Sequence, residues 1–348
     1  MRVLLHDNQL CERGTTTAMT DYARVLRARG HDIGISYWSD SPANVASVVS
    51  RLGEEFTLVP HKVWNTPPKV SEDYDSAYFI KAGTIDGLTL PGRHNLVHAV
   101  FQNYNPHGSR YVYVSQWLAE AMRTRSLKDR EARAATMSLA DAAARAGCLN
   151  TLEFEHLNHI VDTPTPQSGI REELGIPEDA FVILRFGGYE TFDIGWVKDT
   201  VVQALDAHPH WHFLGLNTEV FTDHPRAHFL PMIIDPVEKV SVISASNVFL
   251  SARSQGESFG LAIAEALQVG IPVLAWAGGH DRNHRSMLNG LGGLYRRPLD
   301  LRWRLGRLAA GRDPSSQTAR RTRGDQFRPA VVAPKLELLL TPHLMEPE

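Results

Sequence analysis

Short apolar runs recur through the first half of the chain, at residues 3–5, 32–36, 56–59, 77–80, 96–101 and 111–115. Each is short, as a buried strand is, and lacks the longer period of a helix. Helical patterns fill several of the gaps. The clearest covers 15–29, where Met19, Tyr22, Ala23 and Leu26 share one face and Gly30 follows as a stop. A second set of runs follows at 181–185, 211–214, 228–230, 248–251 and 273–276. Strands alternating with helices predict parallel, doubly wound sheets. The Pro- and Thr-rich stretch 162–169 separates the two sets and reads as a linker. Residues 123–146 form an Ala/Arg-rich helical stretch. No internal repeat stands out.

The chemistry concentrates in Glu257-Ser258-Phe259-Gly260-Leu261-Ala262-Ile263-Ala264-Glu265. A buried strand precedes it, and Gly270-Ile271-Pro272-Val273 follows as a helix stop and a new strand. The first backbone amides of a helix lack intrahelical partners, so a loop entering a helix behind a parallel strand is an anion site. Glu257 would sit at that positive end. Glu265 would lie roughly 12 Å along if the intervening residues were all helical. A surface helix with acids near its N-terminus would show the same two carboxylates, but not the whole strand–loop–helix–Gly–Pro–strand phrase.

This phrase resembles the donor motif of retaining GT-B glycosyltransferases, especially glycosyltransferase family 4. The resemblance implies an α/β GT-B fold: two doubly wound Rossmann-like domains facing an interdomain cleft. It sets an acceptor-side domain at 1–165, a nucleotide-sugar domain at 166–315, and C-terminal helices at 316–348 returning to the first domain. It implies that Glu257 lies by the donor sugar, that amides after it, through Ser258, Phe259 and Gly260, hold the diphosphate, and that Glu265 takes the ribose hydroxyls. In this family a Gly-Arg pair and a later Lys also face the diphosphate. Here Arg185 matches the Arg, with Gly187 after it, but Leu184 replaces the Gly and no clean Lys follows. The loop carrying Gly14 and the strand-end His98 complete the implied set. Gly14 alone reads as a helix-capping turn, and His98 alone as a hydrogen-bonded structural histidine. Lys81 and Asp86 are weaker acceptor-side candidates, and His284, in the loop Gly278-Gly279-His280-Asp281-Arg282-Asn283-His284, is a donor-contact candidate.

The implied reaction is metal-independent transfer of a sugar, with retention, from a nucleotide-diphosphate sugar to a glycan, lipid-linked or small-molecule acceptor hydroxyl. No cofactor is implied beyond the donor. The alternatives are a nucleotide-sugar 2-epimerase on the same fold and a non-catalytic nucleotide-sugar-binding protein. Neither half carries Gly-x-Gly-x-x-Gly after its first strand, which argues against a dinucleotide-dependent dehydrogenase.

Composition trims the choices. At 348 residues the chain suits about two domains, and 43% apolar content can fill their cores. No apolar run approaches the ~20 residues of a membrane span, and Met1 to Asp7 reads as a strand rather than a leader. Cys11 and Cys148 give no disulfide framework, which fits a reducing cytoplasm. A formal net charge of −3 argues against nucleic acid as a partner. Arg123, Arg125, Lys128, Arg130 and Arg133 give a weak peripheral membrane contact as one reading. The intervening Asp129 and Glu131 favour an ordinary solvated helix.

Overall fold

Both sets of apolar runs close into parallel sheets in the computed structural model, which describes residues 1–134 and 154–342. The chain divides into two units, Met1–Ile160 with Val332–Glu348, and Val161–Val331.

In the first unit the strands are β1 (Arg2–His6), β2 (Asp32–Trp38), β3 (Thr57–His61), β4 (Ser76–Lys81), β5 (His94–Ala99), β6 (Arg110–Tyr113) and β7 (Glu155–His156). Their order is β3-β2-β1-β4-β5-β6-β7. Helices α1 (Gly14–Ala28), α2 (Ala46–Glu55) and α3 (Gln116–Ala134) connect them. The α1 face expected from the sequence is the buried one, with Met19, Tyr22, Ala23 and Leu26 at 0% exposure. Cys148 and the part of the 123–146 helical stretch beyond Ala134 lie outside the described residues, as do the side chains of Arg130 and Arg133.

The second unit repeats the plan. Helix α4 (Ile170–Glu173) leads into β8 (Phe181–Arg185), α5 (Gly195–Ala207), β9 (Trp211–Leu216), β10 (Ala227–Leu230), α6 (Pro236–Ser244) and β11 (Val248–Ser251). Then come β12 (Gly256–Glu257), α7 (Leu261–Val269), β13 (Val273–Trp276), β14 (Asp281–Arg282), α8 (Asn283–Met287) and β15 (Leu294–Tyr295). The sheet order is β10-β9-β8-β11-β13-β15, and β12 pairs with β14 apart from it. Each sheet reverses its strand order once, between β1 and β4 and between β8 and β11. Ligands of doubly wound sheets bind at the carboxyl ends of strands flanking such a reversal.

Helices α9 (Pro298–Ala309), α10 (Gln317–Gly324) and α11 (Pro329–Leu340) close the chain. The sequence reading returned all of 316–348 to the first domain, but α10 stays on α7 in the second unit. Buried Arg320 donates from Nε to Gly270 O at 2.7 Å, and Gln268 Nε2 donates to Gly324 O at 3.1 Å. These bonds satisfy α7 and α10 together. From Val332 onward, α11 belongs with the first unit, where Ser76 Oγ donates to Leu340 O at 2.6 Å and His94 Nε2 lies 2.8 Å from Leu339 O.

Candidate active site

Gly256 opens the motif with φ of +78°, and a Cβ there would fall 1.9 Å from Asp281 O. Only glycine lets β12 lie against β14 so closely. Glu257 follows on β12, opposite Arg282. Gly260, with φ of +102°, caps α7, whose first intrahelical bond runs from Ala264 N to Gly260 O at 3.0 Å. The amides of Leu261, Ala262 and Ile263 therefore lie ahead of that bond, at the positive end of the helix.

Phe259 turns inward. Its ring packs edge-on against Phe327 at 5.2 Å, and its carbonyl accepts from Asn283 Nδ2 at 2.7 Å. It anchors the loop through its ring and its carbonyl. Ser258 is half-buried beside it. Asp193 braces the other side, accepting from Ser254 N at 2.6 Å and from Ser254 Oγ at 2.5 Å.

The two carboxylates each hold a cation. Glu257 Oε2 lies 3.0 Å from Arg253 Nη1. Burial pushes the Glu257 carboxyl above the usual carboxylate range, with Arg253 and Arg185 opposing and Asp281 assisting. Glu265, on α7, is paired with Lys239 of α6, and both side chains are about one-quarter exposed or less, at 28% and 20%. Lys239 Nζ also lies over the Phe186 ring, 5.9 Å from its centre.

Sequence reasoning passed over Lys239, because nothing in chain order ties position 239 to 265. The helix carrying it did have a signal. Asp235 caps α6 by accepting from Glu238 N at 2.8 Å, and Pro236 occupies the first helical position.

Arg185 departs from its expected role as a phosphate clamp. Its side chain is buried, with Nη1 donating to Asn217 O at 2.8 Å and Thr218 Oγ1 at 2.9 Å. Nη2 donates to Gly188 O at 2.5 Å and Thr191 Oγ1 at 2.7 Å. All four terminal N–H groups are thus directed at protein acceptors. Burial lowers its pKa to about 10, with Glu257 and Asp193 opposing. Asn217 turns its carbonyl to Arg185 by adopting a φ of +49°, unique among described non-glycine residues, and its Nδ2 donates to Gly187 O at 2.8 Å. Arg185 therefore fixes the 187–191 loop. A Cβ on Gly187 (φ +134°) would lie 3.8 Å from the Ala262 Cβ, so that loop abuts the first turn of α7. Arg185, Gly187, Glu257, Ser258, Phe259, Gly260 and Glu265 thus gather at the carboxyl ends of β8 and β11.

Gly14 and His98 belong to the first unit. Gly14 begins α1 and is exposed, without a positive φ. His98 was expected to touch the donor sugar, but it is 0% exposed. Tyr78 Oη lies 2.7 Å from its Nδ1, and the rings of Tyr22, Tyr78 and His159 surround it at 5.4–6.1 Å. Burial lowers its pKa to about 3. It is a core residue here, because β5 is covered on both faces. Lys81 and Asp86 form a buried ion pair of 2.6 Å that leaves neither open to an acceptor. His284, also buried, lies beneath Gly256 with both ring nitrogens lacking a hydrogen-bond partner, and burial lowers its pKa to about 4.

Asp7, at the end of β1, was not singled out from the sequence. It is buried, bonded to Thr16 Oγ1 at 2.8 Å, and its pKa is raised to about 6 by that burial. The Asp-x-Asp sequence Asp73-Tyr74-Asp75 lies at the opposite, amino end of β4, where Asp75 Oδ2 accepts from Arg2 N at 2.7 Å.

No family model matches the chain, and no curated protein matches its sequence. Solved structures do. The HepE protein of Anabaena, solved with UDP and glucose, superposes with a TM-score of 0.69 at 15% identity, covering 98% of this chain and 99% of that one. A glycosyltransferase of Rickettsia africae gives a TM-score of 0.64 at 13% identity, with 97% of each chain covered. Sucrose-phosphate synthase of Thermosynechococcus elongatus gives 0.56 at 15%, with 97% and 98% covered. The fold is GT-B. The carboxylate-flanked α7 stands at the β8–β11 reversal of the second unit.

Proposed function

We propose that this chain is a retaining glycosyltransferase that uses a nucleotide-diphosphate sugar, and that the β8–β11 reversal of its second unit is the donor site. One observation carries the reading: a glycine-capped helix start with Glu257 on the loop before it and Glu265 four residues into it. The leading amides of α7 receive the diphosphate, whose charge grows as the nucleotide departs. Fixed N–H dipoles stabilise that charge without reorganising. Arg185 acts as a positioning residue, since its bonds hold Gly187 and Gly188 against the same helix turn. Glu265 takes the ribose hydroxyls and shares them with Lys239. Glu257 orients the sugar, held in place by Arg253.

The acceptor oxygen bonds to the anomeric carbon on the face the diphosphate leaves. The carbon–phosphate oxygen bond breaks, and the departing phosphate takes the acceptor's proton. HepE has been solved with UDP-glucose, so UDP-glucose heads the panel of donors.

The test is a thermal-shift panel of nucleoside diphosphates and their sugar conjugates on the wild type and Glu265→Ala. A selective rise with one sugar nucleotide, lost in the variant, supports the site by mass action. If no nucleotide shifts the wild type, the donor-site reading fails. Product analysis without an acceptor then separates an epimerase, which still turns over, from a transferase.

A further inference from the structure

The outer face of α9 combines two features that rarely occur together on a solvated helix. Over residues 296–312 there are six arginines and one aspartate, a local charge of +5 in a chain whose formal net charge is −3. Among the described ion pairs only Arg304 of these six has a carboxylate partner, Asp300 at 2.8 Å. On the same face, Leu299 is 76% and Trp303 57% exposed. Positions 299, 302, 303, 306, 307 and 310 form one helical stripe, so Leu299 and Trp303 project beside Arg302 and Arg307. The opposite stripe, Leu301 and Leu305, is fully buried in the unit's core and locks the helix in orientation.

Arg304 and Arg307 stack on the Trp303 ring, at 5.8 and 5.0 Å from its centre. Behind Trp303 a cavity of about 170 Å³ is lined by Leu267, Leu288, Leu291 and Leu308, with Arg312 at its side.

We infer that this face docks the protein on an anionic phospholipid membrane. The guanidinium groups meet lipid phosphates, while Trp303 and Leu299 enter the boundary between headgroups and acyl chains. Arginine stems beside a projecting tryptophan suit that depth, since the heads reach water while the stems stay apolar. A nucleic acid would use the arginines but leave Leu299 in water. The inference does not depend on the donor-site assignment.

Co-sedimentation of the full chain at low ionic strength tests it, with vesicles of phosphatidylcholine alone or mixed with phosphatidylglycerol. The wild type binds the mixed vesicles and not the neutral ones. Arg307→Glu/Arg312→Glu lowers binding by roughly 100-fold or more, and Leu299→Ser/Trp303→Ser by roughly tenfold. All four positions are exposed, so the unfolding midpoint checks each fold. Arg307→Gln/Arg312→Gln replaces the charge reversal if that variant is unstable. The inference is overturned if the wild type ignores anionic vesicles, or if both double variants bind like the wild type. Loss in the arginine variant alone, with Leu299→Ser/Trp303→Ser unchanged, overturns it in favour of a soluble polyanion.

Discussion

The two units share one strand order but furnish the carboxyl ends of their strands in opposite ways. Beside the buried Lys81–Asp86 pair, the first unit fills its interior there with neutral rings. His6 and His98 are 0% exposed with pKa values lowered to about 3, and the Tyr22 and Tyr78 phenols are raised well above their ordinary range, all mainly by burial. The second unit keeps ionised pairs, Glu257 with Arg253 and Glu265 with Lys239, on a frame of positive-φ glycines. Topology alone therefore says where a ligand belongs, while the protonation of the lining says what kind. Desolvated neutral rings stabilise a core, whereas half-buried charges beside unpaired amides are suited to an anion.

The sharpest break of this contrast is Glu257→Ala. In the second unit the carboxylate is available for chemistry rather than support, so we expect transfer to fall by roughly 1000-fold, about 4 kcal/mol of transition-state stabilisation. The unfolding midpoint should move by no more than a few degrees. An active variant would show that Glu257 plays no part in transfer, and one that unfolds would show that it is there for structure.

Gly256→Ala tests the glycine frame on which those charges sit. Its Cβ would strike Asp281 O, and the backbone is left-handed there, so a loss of roughly 3 kcal/mol follows. Gly175→Ala is the control, because φ is +64° but no atom lies within 4 Å. It should cost about 1 kcal/mol. Equal losses in the two denaturant titrations would mean that the close approach of β12 and β14 contributes nothing.

This frame was the part most legible in the sequence. Runs 181–185, 248–251 and 273–276 match β8, β11 and β13 residue for residue. The stop at Gly270 is a left-handed cap. What stayed hidden depends on tertiary neighbours. The bond of Arg185 to Asn217 requires an unusual φ thirty-two positions away. His98 sits in a strand covered on both faces, where alternation cannot tell an inward side from a ligand-facing one. The docking of α10 on α7 hangs on Arg320 and Gln268, two polar residues that read as surface until their acceptors are seen.

The buried imidazoles of the first unit make a prediction of their own. A histidine kept neutral when folded binds a proton more readily when unfolded. Its contribution is complete above about pH 6.5 and is lost as pH falls toward about 3. Between pH 6.5 and 5, His98 alone should cost about 2 kcal/mol. His98→Phe should start less stable at neutral pH, having left Tyr78 without its partner. It should then lose less on acidification than the wild type. Parallel stability–pH curves for the two proteins would mean that His98 is not held neutral.

Lys239→Ala is the gentlest test and bears on the second unit alone. The Lys239–Glu265 pair is partly exposed, so solvent screens it and its removal should change folding stability by less than about 1 kcal/mol. Its consequence lies in binding. With Lys239 present, Glu265 is held in one orientation on α7, and the ammonium adds positive charge near Phe186. Without it, Glu265 is free to rotate, and the entropy of ordering it falls on the ligand. Nucleotide affinity should therefore weaken by about threefold to tenfold, measured by calorimetry against Glu265→Ala. If Lys239→Ala instead bound tighter, Lys239 would be a competitor for the Glu265 carboxylate. The pair would then be a latch that the ribose must open, and the second unit's ionised lining would be less preorganised than its bonds imply.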